Sequence, residues 1–259
     1  MFRCACGVSR VLSVLFLAAC AAAPERSEVA GECAAAFGGE VCSWAVMDGV
    51  ELLEVGATIP ISTVESAPAD APFAWPPPTE ASVTLPMAEW AGLTHMTINW
   101  EAMGHPPATF LVPHFDFHFY MIPEGQRLAI DCTRLDKPTE VPAGYAVPDE
   151  HLPPEIAEIT GTDTLVGVCV PEMGMHSLSE AQLASEQPFS ATMVLGYYER
   201  APIFIEPMVA QSFLLERQPF ELAIPDDRNR TGPAPTAFRA EYDEAAQAYR
   251  FIFSGFEAR

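Results

Sequence analysis

The segment of the sequence most able to do chemistry is a run of alternating polar and aromatic residues. It reads His114-Phe115-Asp116-Phe117-His118-Phe119-Tyr120. Successive side chains of a β-strand point to opposite faces, so the polar residues share one face and the phenylalanines share the other. Two imidazoles, a carboxylate and a phenol on one face are groups that can bind a metal ion. The phenylalanine face predicts a strand that packs on a hydrophobic core.

The spacing of His114 and His118 limits how they could bind one ion. Four strand residues separate their Cα atoms by about 13 Å, at roughly 3.3 Å per residue. Either Asp116 joins one histidine at the metal, or one histidine ligates and the other supports it, since a neighbouring aspartate can fix the tautomer of a ligating imidazole. Without a metal, the segment would be the hydrogen-bonded or solvated polar face of an edge strand.

Three further segments add candidate ligands to this strand. Gly104-His105-Pro106-Pro107 places a histidine in a turn, and Met173-Gly174-Met175-His176 places another after a proline. Glu206 interrupts an apolar run at 204–208, where an unpaired charge would be costly. The predicted metal ligands are therefore His105, His114, His118 and His176, with Asp116, Glu206 and Tyr120 as supporting or alternative ligands.

The sequence indicates the identity of the metal ion less clearly than it indicates the ligands. Neutral imidazole with carboxylate suits zinc, which we expect first, and it leaves copper, manganese and iron open. His95 and His151 do not lie in comparable motifs, and we expect them to have structural roles.

The elements that must position these residues are short strands. The chain has 259 residues with 25 prolines and 16 glycines, and 49% of its residues are hydrophobic. Many short strands separated by turns predict a mainly β protein with some α+β character. We expect a single-domain β-sandwich or irregular barrel, with hairpins at Asp48-Gly49 and between Tyr242 and Tyr249, and one short helix over 154–159.

The charge of the chain excludes some partners. Thirty-five acidic against 13 basic side chains give a net charge of −22. Binding to nucleic acid requires clustered lysine and arginine, and so does a polybasic membrane patch, so neither is expected.

The first residues predict export. Arg3 and Arg10 precede an apolar run over 11–19 that is too short to span a bilayer. Leu17-Ala18-Ala19-Cys20 resembles a bacterial lipobox, so we expect a signal peptide over 1–19, a lipidated Cys20 with a flexible tether over 20–39, and one β-rich domain over 40–259. Ala21 after the cysteine favours the periplasmic face of the outer membrane, with the lipid as the only membrane contact. Ordinary cleavage after Ala23 is the alternative.

Four cysteines remain after the predicted lipidation site. In an oxidising compartment they suggest two disulfides, for which three connectivities exist. We favour Cys33–Cys42, which closes a short loop, and Cys132–Cys169. A thiolate metal site is the alternative, although the sequence has no CxxC spacing.

Five motifs together resemble a family of exported bacterial proteins. They are GHPP (104–107), PHFDFHFYMI (113–122), VPEMGMH (170–176), FIEPM (204–208) and GPAPTAFRAEYD (232–243). The family is a domain of unknown function associated with sigma-E-type regulation, and the likeness spans roughly residues 40 to 255. It implies an exported β-rich domain with no established reaction, for which homo-oligomerisation is open. It also implies that His105, His114, Asp116, His118, His176 and Glu206 occupy the family's polar motif positions, while Ser177 departs from an expected aromatic residue.

Two enzyme families offer weaker likenesses. Cupins use an HxH strand followed about four residues later by a glutamate, whereas this chain has HxDxH, with Ile122 at that position and Glu124 two residues later. Carbonic anhydrases also use an HxH pair and meet the same objection.

Three functional hypotheses follow from these observations. The first is a lipid-anchored domain that binds a divalent metal and acts in envelope stress or metal handling. The second is a metal-dependent enzyme, cupin-like or hydrolytic, on an unknown small-molecule substrate. The third is a metal-free structural envelope protein. Four protein ligands would favour storage or structure, and three ligands beside a cavity would favour catalysis.

Overall fold

The structure, a computed structural model, describes residues 26–258. The predicted signal peptide and the predicted lipidation site Cys20 lie outside the described residues. In chain order the strands are β1 (Arg26–Ala36), β2 (Gly39–Asp48), β3 (Glu51–Pro60), β4 (Thr79–Thr84), β5 (His95–Glu101), β6 (His114–Tyr120), β7 (Tyr145–Ala146), β8 (Glu150–His151), β9 (Thr164–Leu165), β10 (Met175–Ser179), β11 (Ala191–Tyr198), β12 (Ala201–Ala210), β13 (Phe220–Ala223), β14 (Pro233–Ala234), β15 (Ala237–Asp243), β16 (Ala248–Ser254) and β17 (Glu257–Ala258).

The helices within the same range are all short. They are α1 (Ile61–Glu65), α2 (Ala88–Ala91), α3 (Glu124–Arg127), α4 (Pro154–Thr160), α5 (Glu180–Leu183) and α6 (Gln211–Leu214), with 3₁₀ turns at Ala108–Phe110 and Val166–Val168. No helix between residues 26 and 258 has the length and apolar character needed to cross a bilayer.

The strands form two large antiparallel sheets that make a β-sandwich, which confirms the predicted fold class. One sheet has six strands in the order β1-β2-β3-β16-β15-β13, and the other has seven in the order β4-β5-β6-β12-β11-β10-β7. Two small pairs, β14-β17 and β8-β9, complete the described sheets. Strands make up 44% of the structure and helices 15%.

The hydrophobic core lies between the two large sheets. The phenylalanine face of β6 meets β16 of the facing sheet, with ring centroids 4.7 Å apart for Phe117–Phe251 and 4.7 Å apart for Phe119–Phe253. All four rings are fully buried. Aromatic pairs of this kind fix one sheet on the other, so they hold the outer face of β6 in a defined place.

The predicted tether is corrected by the first strand. Residues 26–36, assigned above to a flexible tether, form β1, which pairs antiparallel with β2 from Arg26↔Asp48 to Ala36↔Gly39. Most of β1 is exposed. The segment therefore lacks the alternation of a half-buried strand, and it is ordered by backbone hydrogen bonds to its neighbour instead.

Both favoured disulfides are present, which confirms the predicted pairing. Cys33–Cys42 joins directly paired positions of β1 and β2, and Cys132–Cys169 joins two loops with a sequence separation of 37. Two disulfides suggest an oxidising environment for the protein. They also remove these thiols from any metal site, including the cluster of Cys33, Glu40 and Cys42.

Candidate metal centre

The polar face of β6 is buried rather than solvated. His114 and His118 have no exposed surface, and Asp116 is 5% exposed. The alternation predicts that these side chains share one face. Because the phenylalanines of β6 pack on the facing sheet, the polar face lies on the outside of the sandwich, where loop residues such as Trp75 and Leu152 lie beside it. A polar face that is covered in this way must find partners for its polar atoms.

Neighbouring strands bring further polar groups to the same face. On β5, Thr97 pairs with His118, Asn99 with Asp116 and Glu101 with His114. On β12, Glu206 lies between the paired positions Ile205↔Phe119 and Met208↔Asp116. His176 of β10 pairs with Gly196 of β11, so it reaches the face from three strands away from β6.

The first group of candidate ligands contains His105, His114 and Asp116. One ligand atom from each lies within 4.8 Å of the others. His114 Nε2 is 3.3 Å from Asp116 Oδ1, and the rings of His105 and His114 meet edge to face with centroids 4.8 Å apart. Gly104 makes this approach possible, because its φ is +69° and a side chain there would collide with the backbone of Phe110.

The second group contains His118, His176 and Glu206. Its ligand atoms also lie within 4.8 Å of one another. Glu206 Oε2 is 3.6 Å from His118 Nε2 and 4.0 Å from His176 Nε2. The structure thus brings all four predicted histidine ligands and both carboxylates to one face, in two sets of two histidines and one carboxylate.

The two groups meet through their carboxyl groups. Asp116 and Glu206 are within hydrogen-bonding reach of each other. Burial raises the pKa of Asp116 well above its usual value, and the charges of Glu206 and Glu101 raise it further. Burial likewise raises the pKa of Glu206, and it raises the pKa of Glu101 to about 7. Without a cation, one proton shared between Asp116 and Glu206 would relieve their repulsion.

Three of the imidazoles have a defined tautomer. Nδ1 of His105 lies 2.7 Å from the Pro106 carbonyl, Nδ1 of His114 lies 2.7 Å from that of Val112, and Nδ1 of His176 lies 2.9 Å from that of Val168. A carbonyl oxygen only accepts, so each Nδ1 carries the proton and donates it. Each Nε2 therefore keeps its lone pair, and this is how metal-binding histidines are held.

Burial also keeps these rings neutral. It lowers the pKa of His114 and of His118 well below the usual value, with the neighbouring histidines adding to the shift. It lowers the pKa of His105, and it lowers that of His176 to about 4. A neutral imidazole is the form that binds a metal.

Several buried atoms on this face have no hydrogen-bond partner within the described residues. They are His114 Nε2, Asp116 Oδ1, both ring nitrogens of His118, Glu206 Oε2, Glu101 Oε1 and Asn99 Oδ1. Each buried polar atom left unpartnered costs about 1–3 kcal/mol. A concentration of such atoms at potential ligands indicates a missing partner, and a cation fits their chemistry.

A cavity of about 50 Å³ leads to both groups. Its polar floor includes Glu101, His105, Asp116, His176 and Glu206. Its walls are largely apolar and come from the segments around Phe73 and Trp75, from Leu152 and Ile156, and from Val168 and Met173. A bound ion would therefore be reached through an apolar passage.

The remaining predicted residue, Tyr120, belongs to neither group. Its ring stacks on His95 with centroids 4.8 Å apart and on His118 at 5.7 Å. His151 is exposed and contacts Thr164. Tyr120 therefore supports His118 by packing, and His95 and His151 lie outside both ligand groups.

Glu101 is the residue that the sequence prediction missed. It follows Met96, Ile98 and Trp100, whose alternation predicts the apolar face of β5. The opposite face of the same strand contains Thr97, Asn99 and Glu101, so the alternation itself carried the signal.

Comparison with protein-family models, with curated proteins and with solved structures finds no match for this chain.

Proposed function

We propose that this protein is an exported, lipid-anchored β-sandwich that binds a divalent metal, zinc being the first candidate, through His118, His176 and Glu206. The observation that carries the proposal is the set of buried ligand atoms without partners: both ring nitrogens of His118, and Glu206 Oε2. A carboxylate oxygen and an imidazole lone pair that face each other are both acceptors, and a metal ion bound between them satisfies both.

The proposed cellular setting is supported separately. The two disulfides favour an oxidising compartment. The lipobox-like sequence before Cys20 supports lipid anchoring, and the resemblance to a sigma-E-associated family supports a role in envelope stress or metal handling. Cys20→Ser, expressed in a bacterium that processes lipoproteins, is expected to lose incorporation of radiolabelled palmitate; unchanged incorporation would contradict anchoring at this residue.

Metal binding is tested directly by elemental analysis of the purified protein without a histidine tag. Zinc is expected to copurify with the protein, or to bind after treatment with a chelator and reloading. His118→Gln is expected to reduce the zinc content, because it removes the nitrogen facing Glu206. His151→Gln, on the surface, is the matched control. Wild-type protein that retains no zinc, copper, manganese or iron would refute the proposal.

A second candidate function is metal-dependent hydrolysis, and one observation favours it. The group of His118, His176 and Glu206 offers three protein ligands beside a cavity, which is the arrangement of catalytic rather than structural zinc sites. Glu101 lines the same cavity, and its pKa, raised by burial to about 7, suits a general base toward a water that the metal would activate. A panel of ester and phosphoester substrates tests this function: Glu101→Gln should retain the metal and lose turnover.

A further inference from the structure

We propose that the outer face of the seven-stranded sheet binds two divalent cations, the second at His105, His114 and Asp116, with Glu101 beside it. This inference rests on the proposed function, because it adds a second ion next to the first. It assigns both ligand groups to one dinuclear centre whose two ions are joined by the carboxylates of Asp116 and Glu206.

The second group is equivalent to the first in composition and burial. Each contains two histidines and one carboxylate. In the second group, His114 Nε2 and Asp116 Oδ1 are buried without hydrogen-bond partners, although they lie only 3.3 Å apart. His114 is fully buried and Asp116 is 5% exposed, so both side chains lie away from bulk solvent. The argument for an ion at the first group therefore applies with equal force to the second.

The contact between Asp116 and Glu206 makes the two sites neighbours. Asp116 faces His114 with one oxygen, and its carboxyl group is within hydrogen-bonding reach of Glu206. Glu206 in turn faces His118 and His176. A carboxylate has two oxygens and can bind one ion with each, so this pair can connect the two ions without any change of strand register.

The charge of the face also fits two ions better than one. Asp116, Glu206 and Glu101 are three buried carboxyl groups on adjacent strands. Within residues 26–258, the hydrogen bonds and ion pairs bring no lysine or arginine to any of them. Buried carboxylates need compensating positive charge. Two divalent cations balance three ionised carboxylates and one hydroxide or other anionic ligand, whereas with one cation at least one of the three carboxyl groups would have to keep its proton.

The cavity supplies the place for that additional ligand. Glu101, His105 and Asp116 of the second group line the same space as His176 and Glu206 of the first. Three protein ligands leave at least one coordination position of each ion open. A small oxygen ligand, such as water, hydroxide or an oxyanion group, could then bridge both ions from the cavity, as in other two-metal sites.

The stoichiometry of zinc binding tests the proposal. Wild-type protein is stripped with a chelator, loaded with Zn²⁺, freed of excess and analysed for zinc per chain. We expect two ions in the wild type, one in His114→Gln, one in His118→Gln and none in the double variant. His151→Gln should keep two. Circular dichroism checks that each variant is folded.

The outcomes separate this proposal from the function on which it rests. One zinc in the wild type that is kept by His114→Gln and lost by His118→Gln would overturn the second ion and leave the proposed function standing. No zinc in the wild type would overturn both. If His114→Gln does not fold, Mn²⁺-loaded wild type decides by electron paramagnetic resonance: two adjacent ions give a coupled, broadened spectrum, and the spectrum of isolated Mn²⁺ would refute the dinuclear centre.

Discussion

The imidazoles on the outer face of the sheet are held in two different ways. His105, His114 and His176 donate to backbone carbonyls of nearby loop residues. His118 has no such hydrogen bond and is positioned by rings: its centroid is 4.7 Å from that of Phe204 and 5.7 Å from that of Tyr120. The orientation of His118 therefore depends on ring packing and on the nearby Glu206 carboxyl group rather than on a hydrogen bond to the backbone.

Gly196 gives a way to disturb that packing without touching a ligand. A methyl group at this position would overlap the ring of Phe204, which also packs on His176. Gly196→Ala should displace the ring, reduce zinc affinity at least tenfold and cost roughly 1–3 kcal/mol of folding free energy. Zinc titration and urea unfolding measure both effects. Gly125→Ala, where no atom lies within 4 Å, is the matched control, and equal behaviour of the two variants would contradict the role of Phe204.

His95 offers a test of buried histidine chemistry away from the ligand groups. Burial lowers its pKa to about 4, the charge of Arg127 lowers it further, and Glu124 opposes this. The unfolded chain takes up a proton near pH 6.5 and the folded chain does not until about pH 4, so the contribution of His95 to stability is lost as pH falls between these values. In His95→Gln, urea midpoints should fall less between pH 7 and pH 5 than in wild type. An unchanged pH dependence would contradict the lowered pKa.

The segment between β6 and β10, which covers part of the site, is held in place by a disulfide and by ion pairs. Between β6 and β10 the chain is held by Cys132–Cys169, by Arg127 with Glu172, and by Lys137 with Asp149 at 2.7 Å. Val168 and Met173, in the same region, form part of the cavity wall. We therefore expect access to the candidate ligands to depend on how firmly this segment is fixed.

The two disulfides should differ in their effects when removed. Loop-closure entropy predicts a loss of about 4 kcal/mol for replacing Cys132 and Cys169 by serine and about 2.5 kcal/mol for Cys33 and Cys42, because the closed loops differ in length. Only the first replacement should also speed zinc release by a chelator, since only that disulfide holds the cover. Unfolding free energies and release rates measure this. Equal release rates in the two double variants would show that the cover does not control access.

The elements also show what the sequence could predict. The alternation in β6 was sufficient to predict this strand, because its phenylalanines pack on the core. β1 was missed because its residues are exposed and its order depends on pairing with β2. The sequence was sufficient to select the candidate ligands, from their residue types and from the motifs in which they lie. Their division into two groups could not be predicted, because it follows from the order β5-β6-β12-β11-β10, which no local pattern encodes.

At the scale of the whole molecule, metal binding should increase the free energy of unfolding. An ion that binds only the folded protein at a hundred times its dissociation constant adds about 2.7 kcal/mol per site. Zinc should therefore raise the urea midpoint of the chelator-treated protein in a concentration-dependent way, and a chelator should reverse the rise. His118→Gln should reduce this gain, while His151→Gln should keep it. A midpoint that zinc does not change would contradict a buried metal site.

The pairing of Lys137 with Asp149 has a practical consequence. Lys137 is the only lysine in the sequence, and its amine is bound to the Asp149 carboxylate and to the Val147 carbonyl on the segment over the cavity. A fluorophore coupled to lysine side chains would therefore attach at one position, in the segment between β6 and β10 that also contributes residues to the cavity wall. Such labelling, without a designed cysteine, would let any movement of this segment be followed in real time.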